Sequence, residues 1–378
     1  MKRLIFLLSL LIEAFCLSAA GTNPFFNIGM RQGLSNEFVN DMTMDSQGFL
    51  WVATESGMNR IAGSKCTVFN TSNSDISSNA ITGLHYNQAA NSVWMNFKNG
   101  EIDAFDCKTQ TFVHVSHQNG MKKGSVSVVN GASDGGMWIA YHGGDIQHYG
   151  VKTRKFTTYT KRLFPKIKNG IRCIADDGNG HLYIGLRMDG MYVYNLRTGK
   201  ARFYCHNPKD GQSLPGNNVR SVCIDHMRNV WVGTNLGLAL MDESTGKFRV
   251  FKPQEGTLNA PAGDNIYKIV ELGDNCLWIA SDVGGISMLD LNRYRHPYTE
   301  KLSFQHITKE NSDLSSNNIR RMLQNSFGNV WIGNYGSGID FMPRSASDLR
   351  QVLSGKREAS GFRDRYRTGS GEVAGAAS

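Results

Sequence analysis

The phrase Gly48-Phe49-Leu50-Trp51-Val52-Ala53-Thr54 recurs along the chain at a nearly fixed interval, and that period constrains the fold more than any other feature. Its anchor aromatics are Trp51, Trp94, Trp138, Tyr183, Trp231, Trp278 and Trp331, spaced 43, 44, 45, 48, 47 and 53 residues apart. All six tryptophans of the 378 residues sit on this lattice. Helical repeats would show apolar spacing near 3.6 residues, whereas short strand-like runs between glycine-rich and asparagine-rich turns predict propeller blades.

One unit shows the expected strands. Around Trp231, Val219 to Asp225 reads as an alternating strand, Val230 to Thr234 as the second, Gly237 to Met241 as the third and Phe248 to Phe251 as the fourth. Four antiparallel strands make a blade, and seven anchors predict an all-β, seven-bladed β-propeller. The seventh unit, from Leu314, supplies only three strands before Met342. The isolated stretch from Pro24 to Ile28 is expected to complete that blade, so that an N-terminal strand closes the ring. Gly57, Gly190, Gly237, Gly285 and Gly338 open the third strands, where a side chain is expected to crowd the adjacent blade. The anchor aromatics are expected between neighbouring sheets.

The ends read differently. Residues 1–20 have the form of a signal peptide: basic Lys2 and Arg3, apolar Leu4 to Ile12, and small Ser18-Ala19-Ala20 before Gly21. Glu13 interrupts the apolar run, which is shorter than the roughly 20 residues of a membrane span. No later segment is apolar enough to span a bilayer, and export to the periplasm is expected. Residues 21–343 form the propeller, and 344–378, rich in Arg, Gly, Ser and Ala, are expected to be a disordered basic tail. The net charge of +9 includes +3 from that tail, and the remainder forms no basic run, which argues against nucleic acid as a partner.

No residue pattern points to catalysis, a metal or a cofactor. Cys66, Cys107, Cys173, Cys205, Cys223 and Cys276 form no CxxC motif and read as small buried hydrophobes. His114 and His117 are close in sequence but lack a completing Glu or Cys. Asp176-Asp177-Gly178-Asn179-Gly180 lacks the distal Glu of a calcium loop and reads as a turn.

The phrases Asp45-x-x-Gly48-x-Leu50-Trp51-Val52-Ala53-Thr54-x-x-Gly57-Met58-Asn59-Arg60 and Asn329-Val330-Trp331-Ile332-Gly333 resemble the two-component regulator propeller repeat. Gly33-Leu34-Ser35-Asn36 resembles the start of sensor regions in hybrid two-component systems of gut Bacteroidetes. The resemblance covers residues 24–343. It implies a periplasmic sensor in which two propellers, an immunoglobulin-like domain, a membrane span, a histidine kinase, a receiver and a DNA-binding output follow one another, many responding to glycan fragments. This chain has one propeller and no kinase or receiver segment. It is therefore expected to be either a sensor truncated after its first propeller or an isolated product that binds without signalling, and not itself an enzyme.

Blade geometry narrows the ligand site. The loop between strands two and three lies on the same face as the loop joining consecutive blades, and both rim the central channel. The fourth position after each anchor falls there: Glu55, Lys98, His142, Arg187, Asn235, Asp282 and Tyr335. The frame repeats and these residues do not. His142, Arg187, Asn235, Asp282 and Tyr335 combine planar polar groups with an aromatic platform, and are the candidate ligand residues for an oligosaccharide or other small ligand. The inter-blade Ser and Asn residues read instead as turn caps. A second propeller or a homodimer partner is a further expected partner. The alternatives are a propeller enzyme resembling the streptogramin lyases, for which His142 is the only histidine at the seven rim positions, and a protein-binding scaffold.

Overall fold

The computed structural model describes residues 25–344 except 255; the expected signal peptide and nearly all of the basic tail lie outside the described residues. Seven four-stranded antiparallel sheets make up the chain. Their inner strands are Val39–Met44, Ile81–Asn87, Val126–Gly131, Ile171–Asp176, Val219–Ile224, Ile266–Leu272 and Ile319–Gln324, for blades one to seven in order. Each inner strand packs against its neighbours, and the first against the last, so the ring closes. Six blades are built from consecutive strands. The seventh takes its outer strand, Phe26–Ile28, from the start of the chain, with Phe26, Asn27 and Ile28 opposite Phe341, Asp340 and Ile339.

The inner strands depart from simple alternation. In every blade the pairing register skips the second residue of the inner strand, as between Val219 and Ser221 opposite Thr234 and Gly233. This bulge puts apolar residues three apart rather than two, as in Val39-x-x-Met42 and Ile266-x-x-Ile269. The strand Val219–Ile224 therefore does not alternate as expected. The second strands are sandwiched between blades; Leu50–Thr54 and Val230–Thr234 are buried at every position, which requires their continuous runs of apolar and small residues.

Seven apolar clusters fill the seven junctions between blades. Trp51 lies among Ile81, Leu84, Val93 and Met95 of blade two, and Trp231 among Ile266, Ile269, Leu277 and Ile279 of blade six. The anchor aromatics thus occupy the inter-sheet space, where a large flat side chain removes the most surface from water. In two of them the preceding turn satisfies the polar edge: the indole N–H of Trp51 donates to Asp45 at 2.8 Å and that of Trp231 to Asp225 at 2.9 Å.

The strand-opening glycines are required for a different reason from the expected one. Gly190 has φ +106°, and a Cβ there would lie 2.2 Å from the carbonyl oxygen of Tyr204 in the outer strand of the same blade. At Gly57, with φ +125°, the nearest atom would be the Phe69 carbonyl oxygen at 2.5 Å. The conflict is within the blade, not with the adjacent one, because the turn into the third strand brings the glycine directly under the end of the fourth. The cysteines, all six of them free thiols, differ from expectation in their burial: Cys205 is exposed and the other five are half-buried.

Candidate ligand-binding site

The rim loops are held by two recurring sets of backbone bonds. The rim residue's own N–H donates to the carbonyl just before the inner strand of its blade: Lys98 to Ala80, His142 to Ser125, Arg187 to Gly170, Asn235 to Asn218 and Tyr335 to Asn318, at 2.9 to 3.1 Å. A polar residue in the third strand then ties down the incoming inter-blade segment. Asn59, Asp103, Gln147, Tyr192, Ser287 and Asp340 each accept a backbone N–H from that segment, from Ser35, Ser77, Lys122, Lys166, Ala262 and Ser315 respectively. All six acceptors are buried. Ser and Asn side chains cap the same segments: Asn36 accepts from the Phe38 N–H, Ser78 from Ala80 and Ser316 from Asn318. The backbone is therefore fixed where the side chains vary.

The five candidate side chains lie around one face, on blades three to seven. His142 is exposed, and burial, followed by the nearby Arg187, pulls its imidazole below the ordinary value. Arg187 is exposed and pairs through its backbone with Asn218 of the next blade. Asn235 accepts from the Asn218 N–H at 3.3 Å, and Asp282 accepts from the Asn265 amide at 2.5 Å. Tyr335 stacks edge-on with exposed Phe38 at 4.8 Å and carries the Arg320 guanidinium 4.2 Å from its ring centre. The other two rim residues, Glu55 and Lys98, face each other at 3.8 Å across blades one and two.

A second ring of residues lies just inside the first, and the sequence reading missed it. These are the bulge residues Asn40, Thr82, Ser127, Arg172, Arg220, Tyr267 and Arg320. A bulge residue is released from the ladder and its side chain is re-aimed, here at the channel mouth. In blades one to three these residues are small and bond back to nearby carbonyls: Asn40 to Ile81, Thr82 to Asn96 and Ser127 to Ala140. In blades four to seven they are large. The Arg320 guanidinium lies 3.6 Å from the Tyr267 ring centre and that of Arg220 4.2 Å from it. Arg172 is pulled down to about 10 by burial, then by Arg220 and Arg187. The signal for these positions was present as the three-residue apolar spacing that each bulge imposes.

Deeper in the channel the charges are largely accounted for. Arg321 donates to Asp41 at 2.5 Å. Burial, then Arg321, pushes Lys268 below its usual range, with Asp41 opposing. A separate cavity of about 320 Å³ lies on the outer flank of blade five, lined by Arg249, Phe251 and Leu302 among others. It touches none of the rim residues. There Arg249 donates to the carbonyls of Pro297 and Glu300, a structural tie to the adjacent loop.

Among the described residues no helix is long and apolar enough to cross a membrane. The two-component regulator propeller family matches residues 33–56, 213–236 and 313–336, in each case running from the inter-blade segment to the rim loop of one blade. A histidine kinase P4 from Formosa agariphila is 24% identical over 249 residues, 64% of this chain and 17% of that protein. The extracellular domain of a protein described as a hybrid two component system from B. thetaiotaomicron superposes with a TM-score of 0.71 and 28% identity, over 85% of this chain and 42% of that one. A second extracellular domain, described as from a one component system of the same organism, gives 0.65 and 21%, over 84% of this chain and 40% of that one. A virginiamycin B lyase from Staphylococcus aureus gives 0.59 and 12%, over 84% and 97%, a likeness of fold alone. The chain spans about a sixth of its curated relative and about two fifths of the two extracellular domains. Matched repeats, the seven-bladed ring and the extracellular-domain relatives agree: the chain carries three stretches similar to the two-component regulator propeller repeat, on a ring similar to the extracellular domain of a hybrid two component system.

Proposed function

We propose that this chain is an exported, periplasmic ligand-sensing propeller of a two-component system, and that it responds to glycan fragments bound at the rim of its channel. The observation that carries the reading is the contrast at the rim. A recurring backbone bond holds five of the seven loops in one geometry, while the side chains at that position differ from blade to blade. A structural role would repeat, and a recognition surface would not. Sugars are held by planar polar groups and an aromatic platform, and His142, Arg187, Asn235, Asp282 and Tyr335 offer both. No kinase segment is present in the chain, so phosphoryl transfer belongs to other parts of a longer sensor or to a partner. Streptogramin-type chemistry and passive protein binding are the rival readings, and the ring architecture is compatible with both.

Titration calorimetry of the purified chain against a panel of oligosaccharides tests the proposal. At least one glycan is expected to bind, with Tyr335→Ala and Arg187→Ala each weakening it about tenfold, or about 1.4 kcal/mol. Heat from no glycan, together with turnover of another substrate, would remove the sensor reading.

A further inference from the structure

The rim is electrically and chemically lopsided. In blades one to three the bulge positions carry small neutral groups already bonded to the protein, and Glu55 and Lys98 offset each other. In blades four to seven Arg172, Arg187, Arg220 and Arg320 gather, and none has a carboxylate within ion-pair distance among the described residues. Of the acids on this arc, Asp282 is engaged with the Asn265 amide, and Asp189, in the blade-four rim loop, with the N–H groups of Lys168 and Asn169. Aromatic rings hold these guanidiniums: that of Arg320 lies 3.6 and 4.2 Å from the ring centres of Tyr267 and Tyr335, and that of Arg220 4.2 Å from Tyr267. A guanidinium held against aromatic rings keeps its N–H donors, which can meet a carboxylate or sulfate with two parallel hydrogen bonds.

The same arc holds every buried side-chain nitrogen or oxygen that lacks a hydrogen-bond partner among the described residues. The donors are the Nε atoms of Arg220 and Arg320; the acceptors are the Oδ1 atoms of Asn218, Asn265, Asn318 and Asn334. Asn218, Asn265 and Asn318 immediately precede the inner strands of blades five, six and seven, and Asn334 ends the second strand of blade seven at the rim. Buried polar groups are ordinarily paired, and six unpaired ones on one arc of one rim are not scattered packing faults. Two donors want an anion and four acceptors want hydroxyl groups.

Resting on the glycan reading above, we infer that the arc of blades four to seven binds an acidic oligosaccharide, whose carboxylate or sulfate meets the Arg172, Arg220 and Arg320 guanidiniums and whose hydroxyls donate to the rim asparagines. Uronates and sulfate esters share this chemistry, and the experiment separates them.

Calorimetry on the purified chain would use a uronic acid tetrasaccharide, its carboxyl-reduced neutral counterpart, a sulfated disaccharide and its desulfated form, and citrate as a non-sugar anion. At least one acidic sugar is expected to bind ten or more times more tightly than its neutral counterpart. That ratio should shrink as ionic strength rises to about 0.5 M, because exposed charges are then screened. Arg172→Gln and Arg320→Gln should each weaken the acidic ligand about tenfold or more, and Arg320→Lys should rescue only part of the loss because the planar fork is gone. Thr82→Ala, on the neutral arc, should change affinity less than about twofold. Equal affinity for acidic and neutral sugars overturns this inference and leaves the glycan reading standing. Heat from citrate with none from any sugar, or no heat at all, overturns both. The acidic-to-neutral ratio is read on the unmodified chain, so a variant that fails to fold does not blunt the test.

Discussion

His85 sits on the inner strand of blade two, where its ring reaches towards blade three: a Cβ placed on Gly131 would lie 2.4 Å from its Nε2. Glycine at 131 is what leaves room for the imidazole. Burial pulls this histidine down to about 4 from its ordinary 6.5; Asp41 opposes the shift and Lys268 adds to it. The folded chain thus holds His85 neutral where the unfolded chain would protonate it. Between about pH 6.5 and about 4 the unfolded state binds more protons, so stability is complete above that window and falls as the pH drops through it. The shift corresponds to about 3 kcal/mol at the acidic end. His85→Gln should flatten the dependence of the urea midpoint on pH across this range. Some slope will remain, because burial also lowers His306 and His142. An unchanged slope in the variant would mean that His85 is reached by protons in the folded state.

Each blade is a small sheet whose two special backbone features, the inner-strand bulge and the third-strand glycine, do different work. The bulge aims a side chain at the channel, and the glycine lets the third strand turn beneath the outer one. Gly190→Ala would force a positive φ on a residue with a side chain and drive its Cβ against the Tyr204 carbonyl oxygen. A loss of about 2 to 4 kcal/mol is expected in chemical denaturation. Gly211→Ala, where a Cβ meets nothing within 4 Å, should cost less than about 0.5 kcal/mol. Equal effects at the two sites would refute the steric account. The glycines and tryptophans were legible because each meets a demand that every blade makes, and internal repetition exposes such demands. The bulge residues were not, because Arg172, Arg220, Tyr267 and Arg320 answer to no repeated demand and resemble ordinary strand polar residues. Only the gap in Val219-x-x-Val222 and its equivalents betrays them, and an alternating template reads across that gap. Similarly, Asp340 and Gln147 bind the inter-blade segments 25 residues earlier, a pairing that the alternation of the third strand does not announce.

At the scale of the ring, the strand Phe26–Ile28 joins the two ends of the chain and also bears on the site. Phe25 packs in the junction of blades six and seven, and Ile28 in that of blades seven and one. The Asn27 amide donates to the Ser337 carbonyl at 2.6 Å and to Asp340 at 3.0 Å. Asp340 in turn accepts from the Asn334 amide and from the Ser315 N–H and hydroxyl, so one buried carboxylate links the chain start, the third strand and the rim segment of blade seven. The carbonyl of Glu37 accepts from Gly336 and Gly338 at 3.1 and 2.9 Å, beside the Phe38–Tyr335 pair. Asn27→Ala removes two hydrogen bonds, one of them to a carboxylate, and should lower stability by about 1 to 3 kcal/mol. Removing everything before Gly29 should do more: blade seven would lose its outer strand, and the apolar surface of two junctions would be bared. A single unfolding transition at a lower denaturant midpoint is expected, since the clusters on either side share blade seven and cannot fail separately. Two resolved transitions, or an unchanged midpoint, would show that the ring holds without its closing strand. Because Asn334, next to Tyr335, hangs on the same carboxylate network, the truncated chain should also lose rim affinity for any ligand that engages blade seven, in parallel with its loss of stability.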